Sequence, residues 1–265
     1  MKLGKILSTL FFWVVGIVTI APFVVIAGVS VNERKSLTFP PEGFNLGWYA
    51  DLFLDAEWRA PLMTSLSIAI CASLLAVLIA FPVAWFNWRY RTGFGKLVAG
   101  LGAMPFLLPP VITAMGFLTF FIILGYYGEF WTVVVAHAIF LVTLPLVSLS
   151  LGFEDIDTSL VEASRSMGAS ETTVLRTVVL PMIRPYVISG FCFVFVISLN
   201  EYIIAVMTVG AVFETLPMKI FNALRYGYTP VMAAASVVFV ASTVLIFSLV
   251  AAFSDLPKLL GARSK

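Results

Sequence analysis

Long runs of apolar residues alternate with short polar segments along most of the chain. Six of these runs are long enough to cross a bilayer core of roughly 30 Å as α-helices. They lie near residues 6–30, 62–86, 97–124, 131–151, 185–208 and 230–254. We therefore predict an all-α, polytopic membrane protein with six transmembrane helices in one domain, 1–265. A longer polar loop, 152–184, joins the fourth and fifth spans.

The amino-acid composition also indicates a membrane protein. Hydrophobic residues occupy 61% of the 265 positions and charged residues only 11%, whereas a soluble domain is about 25% charged. The first apolar run is longer than the apolar region of a signal peptide, and no cleavage site is evident after it. We therefore predict an uncleaved first span.

The third apolar run contains Pro105 and the pair Pro109-Pro110. Each proline removes a backbone donor and crowds the preceding turn. Because lipid cannot satisfy the freed carbonyl groups, a broken span must pack against protein or line a cavity. The prolines therefore predict a break in this span, and a merely kinked helix that packs against others stays open as the alternative.

Lysine and arginine residues are unevenly distributed between the two sides of the predicted spans. Eleven of the 16 lie in the N-terminal residues, in 87–96, in 152–184 and after 254, and five lie in the other connections. Cytoplasmic loops are enriched in these residues. We therefore predict that both termini and the 152–184 loop are cytoplasmic.

The loop contains a polar stretch, Ser159 to Pro181, whose first part predicts a short helix beginning at Ser159. Ser159 and Glu162 fit a capping box, in which each side chain bonds a free backbone N–H. Gly168 readily adopts the left-handed conformation that ends a helix. Three residues at helical spacing form a small apolar face: Leu160, Ser164 and Met167.

A second short helix is predicted after Gly168. Ser170 supplies its N-cap, and Glu171 lies in the first turn, where the helix dipole favours a carboxylate. Pro181 and Pro185 remove backbone donors. We predict that these prolines end the helix and start the next element.

Seven residues of this stretch recur at the spacing of a known signature: Glu162-Ala163-Ser164, Gly168, Val178 and Leu180-Pro181. They resemble the Glu-Ala-Ala motif in the cytoplasmic loop of binding-protein-dependent ABC importer permeases. Ser164 replaces the second alanine and Val178 the usual isoleucine, and both replacements are small or similar in shape. The resemblance implies a type I importer permease fold and a coupling helix that docks on a separate ATPase subunit.

The resemblance also implies which residues and partners take part in coupling. The coupling residues are Ser159, Glu162, Ala163, Ser164, Gly168, Ala169, Leu180 and Pro181. The implied partners are two cytoplasmic ABC ATPase subunits, a second, homologous permease, an extracytoplasmic solute-binding protein and the lipid of a bacterial inner membrane. ATP-Mg is expected on the ATPase subunits, and no cofactor is expected in this chain.

Segments 44–49, 198–201 and 215–217 look like the polyamine-type branch of these permeases. This resemblance implies that the chain forms half of a pathway for a polyamine or related nitrogenous solute. Glu201 lies inside the fifth apolar run, where a buried carboxylate needs a partner or an aqueous path. We predict that Asn200, Glu201 and Tyr202 line the pathway.

His137 is the single histidine of the chain and lies inside the fourth apolar run. We interpret it as a neutral side chain that is hydrogen-bonded to a neighbouring helix, with a functional role as the alternative. One histidine cannot bind a metal alone, and Cys71 and Cys192 lie in separate apolar runs. We therefore predict no metal site and no disulfide framework.

Two other binding functions are disfavoured by particular residues. Residues 92–96 read Thr-Gly-Phe-Gly-Lys, but Tyr90 and Leu97 stand where a phosphate-binding loop has Gly and Ser or Thr. No nucleotide site is therefore predicted in this chain. The spacing of Ala163 and Gly168 resembles a DNA-binding helix-turn-helix, but the mixed charges of the loop do not form a basic face, so no nucleic-acid partner is predicted.

Two other classes of membrane protein fit the sequence less well. An ion-coupled secondary transporter or channel is the alternative function. Such a protein couples through intramembrane charges or inverted repeats, for which His137 and Glu201 offer little material. An intramembrane enzyme is disfavoured because the chain has no His-Glu-x-x-His or Gly-x-Ser-Gly motif, so no catalytic residue is predicted.

Overall fold

The computed structural model describes residues 2–210 and 212–253. These residues form thirteen α-helices and contain no strand. The helices are α1 (Lys2–Ser30), α2 (Gly47–Leu54), α3 (Ala56–Tyr90), α4 (Gly93–Leu107), α5 (Pro110–Ile123), α6 (Phe130–Leu141), α7 (Thr143–Glu154), α8 (Thr158–Ser166), α9 (Glu171–Val174), α10 (Leu180–Asn200), α11 (Ile203–Val209), α12 (Leu216–Tyr226) and α13 (Pro230–Phe253). A π-helical segment, Leu175–Val179, joins α9 to α10.

Four continuous helical stretches are each long and apolar enough to cross a membrane. They are Gly4–Ser30, Ala56–Tyr90, Glu171–Asn200 and Pro230–Ala251. Two bent pairs, α4 with α5 at 106° and α6 with α7 at 47°, add two more spans if each pair crosses the membrane once. The described residues therefore contain four to six candidate spans, which confirms the predicted all-α, polytopic class.

The sharp bend between α4 and α5 lies at the prolines that predicted it. Leu108 is extended, with ψ at 150°, because a residue that precedes proline avoids the α conformation. Pro110 then begins α5, where its missing N–H breaks no helical hydrogen bond. The Thr113 hydroxyl donates to the carbonyl of Pro105 at 3.2 Å. The side chain thus satisfies a carbonyl that the break would leave free.

The fifth predicted span, 185–208, differs from the structure at both ends. Helical residues run without interruption from Glu171 to Asn200, so the prediction that Pro181 and Pro185 end a helix is wrong. The π-helical segment ends at Val179, two residues before Pro181, and its i→i+5 bonding changes the pattern that a proline would otherwise interrupt. The helix ends at Asn200 because Glu201 is extended, with ψ at 124°.

The described residues fall into two compact groups: those within 1–60 and 219–244, and those within 61–218 and 245–265. The prediction of one domain stays a prediction.

In the first group, Asn32 organises the connection between α1 and α2. Its Nδ2 donates to the Thr38 hydroxyl at 2.9 Å, and its Oδ1 accepts from the backbone N–H of Glu42 at 3.1 Å. Trp48 Nε1 donates to the Asn32 carbonyl at 2.8 Å.

Helix α1 exposes an apolar surface over most of its length. None of its most apolar 18-residue window is buried, and Trp13 is 69% exposed. An apolar helix of this length needs lipid or another protein around it.

In the second group, α7 and α10 pack closely and hold the two ends of the 152–184 loop together. A Cβ on Gly190 would lie 2.9 Å from Cα of Pro145, so glycine permits this approach. The Ser148 hydroxyl donates to the Tyr186 carbonyl at 2.8 Å, and the Tyr186 hydroxyl donates to Asp155. The loop therefore begins and returns at a fixed place on the helix pair.

Candidate coupling loop and pathway residues

Helix α8 contains the start of the predicted signature, but Asp157 caps it instead of Ser159. Oδ1 of Asp157 accepts the backbone N–H of Ser159 at 2.9 Å. The predicted capping box at Ser159 and Glu162 is therefore wrong, because an acidic cap two residues earlier starts the helix at Thr158. The Ser159 hydroxyl and then its backbone N–H donate to Asp157 and lower the pKa of that carboxyl.

Helix α8 is anchored by one apolar side chain. Val161 is 3% exposed and packs into an apolar cluster formed by α3, α7, the π-helical segment and α10. Its buried members include Ala84, Leu149, Phe153, Val174, Val179 and Ile183. The face that was predicted to be apolar points away from this cluster, since Leu160 is 48% and Met167 83% exposed. Helix α8 and its terminal turn thus have an outward surface, on which Leu160 and Met167 lie to one side of Val161 and the exposed Glu162 lies to the other.

The turn after α8 is formed as the sequence predicts. Gly168 has φ at +84°, a conformation that side chains with a Cβ adopt poorly. Its N–H donates to the Arg165 carbonyl at 2.9 Å, and the N–H of Ala169 donates to the Ser164 carbonyl at 3.1 Å. These two bonds make a Schellman motif, which satisfies carbonyl groups at the helix end.

Ser170 caps the second helix of the loop, as predicted, by accepting the backbone N–H of Thr173 at 3.2 Å. Glu171 follows in the first turn and contacts two arginines. Nη2 of Arg165 donates to Oε2 of Glu171 at 2.9 Å, and Nη2 of Arg89 lies 3.5 Å from Oε1. The Glu171 carboxylate therefore joins α8 and the end of α3 to the start of α9.

The structure brings only part of the predicted coupling residues together. Those from Ser159 to Ala169 lie on α8 and its terminal turn, which forms one compact unit. Leu180 and Pro181 begin α10 after the π-helical segment and are exposed. The coupling role of all eight residues stays a prediction.

The three predicted pathway residues lie at the junction between α10 and α11. Asn200 is exposed, and its Nδ2 donates to the Val196 carbonyl at 2.8 Å. Glu201 accepts the N–H of Ile204 at 2.9 Å and that of Ala205 at 3.0 Å. The Glu201 side chain therefore satisfies free N–H groups in the first turn of α11, from the position before the N-cap Tyr202, and this local role was not predicted. Its place on the pathway, with Asn200 and Tyr202, stays a prediction.

His137 lies beside this junction. Its side chain is 1% exposed, and its Nε2 lies 3.2 Å from Oε2 of Glu201, whose side chain is 8% exposed. Nδ1 of His137 is 2.8 Å from the hydroxyl of Ser198 on α10. The prediction that His137 bonds a neighbouring helix is confirmed, and its contact with the Glu201 carboxylate was not predicted.

Comparison with known proteins places these features in a family. Residues 76–256 match the family described as binding-protein-dependent transport system inner membrane component. A spermidine/putrescine transport system permease protein, PotC, of Haemophilus influenzae is 30% identical over 242 residues, which cover 91% of this chain and 93% of that protein. A putrescine transport system permease protein, PotI, of Escherichia coli K12 is 30% identical and covers 79% and 77% of the two chains.

Another relative and two solved structures extend the comparison. A putative 2-aminoethylphosphonate transport system permease protein, PhnV, of Salmonella typhi is 30% identical over 85% of this chain and 86% of its own. The crystal structure of a bacterial ABC transporter involved in alginate import matches with a TM-score of 0.72 at 14% identity, covering 95% and 96% of the two chains. The inward-facing MetNI methionine ABC transporter matches with a TM-score of 0.60 at 19% identity, covering 78% and 95%.

The structural matches establish the fold, and the family match extends from the middle of α3 to the end of the described chain. It includes the loop with the Glu162 signature and the α10–α11 junction. The chain therefore belongs to the binding-protein-dependent transport system inner membrane components, and it is a multi-pass transmembrane subunit of an ABC importer.

Proposed function

We propose that this subunit forms half of the translocation pathway for small solutes that carry an ammonium group, with polyamines as the first candidates. The proposal is carried by the similarity to permeases named for spermidine and putrescine transport, one of which aligns over 91% of the chain. The relative named for 2-aminoethylphosphonate also has an amine in its solute. The shared chemical group is the ammonium.

The loop geometry supports a role in energy coupling. Helix α8 is held by Val161 in the apolar cluster and closed by the Schellman turn at Gly168. A short helix that is anchored at its base transmits a displacement, whereas a flexible loop would absorb it. Movement of an ATPase subunit against the outward surface of α8 would therefore reach α7 and α10 through the buried cluster.

The assembly that fits this role contains two cytoplasmic ATPase subunits with bound ATP-Mg, a second, homologous permease and an extracytoplasmic solute-binding protein. Hydrolysis would occur on the ATPase subunits and not in this chain. Both termini and α8 would face the cytoplasm, as the distribution of Lys and Arg predicts. Three of the counted charges, Lys258, Arg263 and Lys265, lie outside the described residues.

The exposed side of the α10–α11 junction is the proposed solute-contacting region. Asn200 ends α10, and Glu201 and Tyr202 form the break before α11 begins at Ile203. Broken helices with polar groups at their ends form the solute sites of many transporters. A carboxylate at this position would favour a cation over a neutral solute.

Reconstitution of the complete complex in proteoliposomes tests the proposal. Radiolabelled putrescine is supplied with the binding protein on one side and ATP on the ATPase side. We expect uptake that requires ATP and continues without an ion gradient. Uptake that ignores ATP but stops when an ionophore collapses the ion gradients would favour a secondary transporter. ATP-driven uptake of 2-aminoethylphosphonate without putrescine uptake would overturn the polyamine assignment alone.

A further inference from the structure

A groove that neither the coupling role nor the solute contact uses lies between α10 and the C-terminal part of α13. Its volume is about 590 Å³. Apart from an arginine at one end, its walls are uncharged, and they include Ile188 and Cys192 of α10 and Ile246, Leu249 and Val250 of α13. The groove is therefore lined for most of its length by side chains that favour an apolar ligand.

Two contacts fix the helices that form the groove. Tyr186 and Val250 belong to one apolar cluster, and the rings of Phe193 and Phe247 lie 5.3 Å apart. Residue numbers rise along α10 as they fall along α13, so the two helices run antiparallel. The lining residues are spaced three or four apart on each helix, which places them on one face. The groove therefore follows the helix axes.

Arg184 lies at one end of the groove. It precedes a stretch of α10, residues 185–200, that contains no Asp, Glu, Lys or Arg. An arginine at the edge of an apolar span marks the membrane surface. From Arg184 the lining extends eight residues along α10 to Cys192, about 12 Å at 1.5 Å per residue. The groove therefore runs from the membrane surface into the depth of the hydrocarbon.

The guanidinium of Arg184 is available to a ligand. Arg89 and Arg165 each contact Glu171, whereas within the described residues Arg184 is exposed and has neither an ion pair nor a hydrogen bond. Arginine binds phosphate oxygens through two parallel hydrogen bonds. A phosphate at this end of the groove would therefore gain a charged partner that no carboxylate of the described residues occupies.

A cation at the membrane surface and an apolar wall below it match an amphiphile with an anionic head. Basic pockets between transmembrane helices bind the headgroups of acidic lipids in this way. A soluble anion would leave the apolar walls uncovered. A helix of another subunit would need its own carboxylate opposite Arg184. A phospholipid supplies the charge and the apolar chain together, at the depths where the groove presents their partners.

We propose that the groove between α10 and α13 is a binding site for an anionic phospholipid. Its phosphate contacts Arg184, and one acyl chain lies along Ile188 and Leu249. The site is separate from the solute pathway and holds whichever solute the complex transports.

The test uses the complete complex in phosphatidylcholine proteoliposomes that contain a trace of photoreactive lipid, with the reactive group in the acyl chain. Cross-linked peptides are identified by mass spectrometry. Photoreactive phosphatidylglycerol should label the α10 and α13 peptides that line the groove about fivefold more than photoreactive phosphatidylcholine. This ratio corresponds to about 1 kcal/mol, the contribution of one cation at an anionic membrane surface. Equal labelling by the two lipids would reveal ordinary bilayer contact and overturn the inference.

Two pairs of variants locate the site. Arg184→Gln should lower phosphatidylglycerol labelling to the phosphatidylcholine level, whereas Arg176→Gln removes an exposed arginine outside the groove and should leave it unchanged. Ile188→Trp should fill the groove and abolish labelling by both lipids. Val240→Trp is its control, because Val240 is 38% exposed on α13 and does not line the groove. Natural labelling in Arg184→Gln would refute the role of the arginine. If that variant fails to assemble, the comparison of the two lipids on the natural complex still decides.

The competing occupant is the second permease subunit. In a Cys71→Ser background, a photoreactive maleimide on Cys192 would then cross-link that subunit, and neither lipid would label the groove. This result would overturn the lipid site and assign the groove to a subunit interface.

Discussion

Arg165 and Glu171 face each other across the turn that closes α8. Nη2 of Arg165 donates to Oε2 of Glu171 at 2.9 Å, and Nε lies 2.9 Å from Oε1. This two-point contact matches the planar guanidinium to the planar carboxylate. The turn contains only four residues between α8 and α9. The pair therefore fixes the angle between these two helices.

Reversing the charge of Glu171 should remove the contact with Arg165 that holds α8 at this angle. Glu171→Arg would place a third guanidinium beside Arg165 and Arg89. An exposed ion pair contributes up to about 1 kcal/mol, so we expect the solute transported per ATP hydrolysed to fall by up to about fivefold. Uptake and hydrolysis measured on the same proteoliposomes give this ratio.

The charge-swapped double variant is the control for this prediction. Arg165→Glu with Glu171→Arg restores opposite charges across the turn, although Arg89 then faces a like charge. The ratio should recover in part. Equal defects in the single and double variants would show that the pair does not orient α8.

Capping of α8 by Asp157 should be independent of pH in the physiological range. The pKa of Asp157 is lowered from its ordinary value of 3.8 by hydrogen bonds from Ser159. A lowered pKa means that the stabilisation is fully present above the ordinary value and is lost as pH falls through the lowered one. Between pH 5.5 and 8 the amide exchange rates of α8 should therefore show no change beyond the intrinsic pH dependence of exchange.

Substitutions at the two candidate caps separate their roles. Asp157→Ala should speed amide exchange in the first turn of α8, whereas Asp157→Asn should keep it slow because asparagine caps helices equally well. Ser159→Ala removes one donor to Asp157 but keeps the backbone bond, so its effect should be smaller. A larger effect at Ser159 than at Asp157 would restore the capping box that the sequence suggested.

Gly168 should tolerate asparagine better than valine. Nothing lies within 4 Å of a Cβ built on Gly168, so the cost of a side chain comes from the backbone at φ +84°. This strain is about 1–2 kcal/mol for ordinary residues, and asparagine adopts the left-handed conformation more readily. Gly168→Val should abolish transport while the subunit still inserts, and Gly168→Asn should retain most of it. Comparable loss in both variants, measured as uptake per inserted complex, would contradict this account.

Local signals in the sequence predicted the parts of the loop that depend on local geometry. Gly168 and Ser170 were identified because a left-handed turn and an N-cap each need a particular residue type. Ser159 was predicted as the cap in place of Asp157 because both residue types cap helices. The backbone angles decide between the two residues. Asp157 has the extended conformation that a cap needs, with ψ at 107°.

Features that depend on distant parts of the chain could not be derived in this way. His137 and Ser198 are 61 positions apart, and their contact follows from the packing of α6 on α10. Pro181 was read as a helix end because the rule for proline assumes α-helical bonding, whereas a π-helical segment precedes it. The break at Pro109 was one of two predictions for this span, beside a merely kinked helix, because each proline removes a backbone donor and crowds the preceding turn.

The orientation of the subunit can be tested with single cysteines. In a background with Cys71→Ser and Cys192→Ser, Tyr226→Cys lies on a 77% exposed position and should react with an impermeant maleimide from outside intact cells. Ser170→Cys is also exposed and should react only after the membrane is permeabilised. The reverse pattern would place α8 outside and remove its access to a cytoplasmic ATPase.

Glu162 should be the polar contact of α8 with the ATPase subunit. It is exposed, as are Leu160 and Met167, while Val161 holds the helix in the cluster behind. An exposed carboxylate gives an interface a charge that selects its partner. Glu162→Lys should therefore weaken ATPase association or uncouple hydrolysis from uptake, while insertion stays normal.

Glu154→Lys makes the same charge change at an exposed position outside the signature and should have a smaller effect. Co-purification of the ATPase, hydrolysis and uptake are measured on both variants. Full uptake by Glu162→Lys would remove Glu162 from the coupling mechanism, because a reversed charge at a docking contact cannot leave the interaction unchanged.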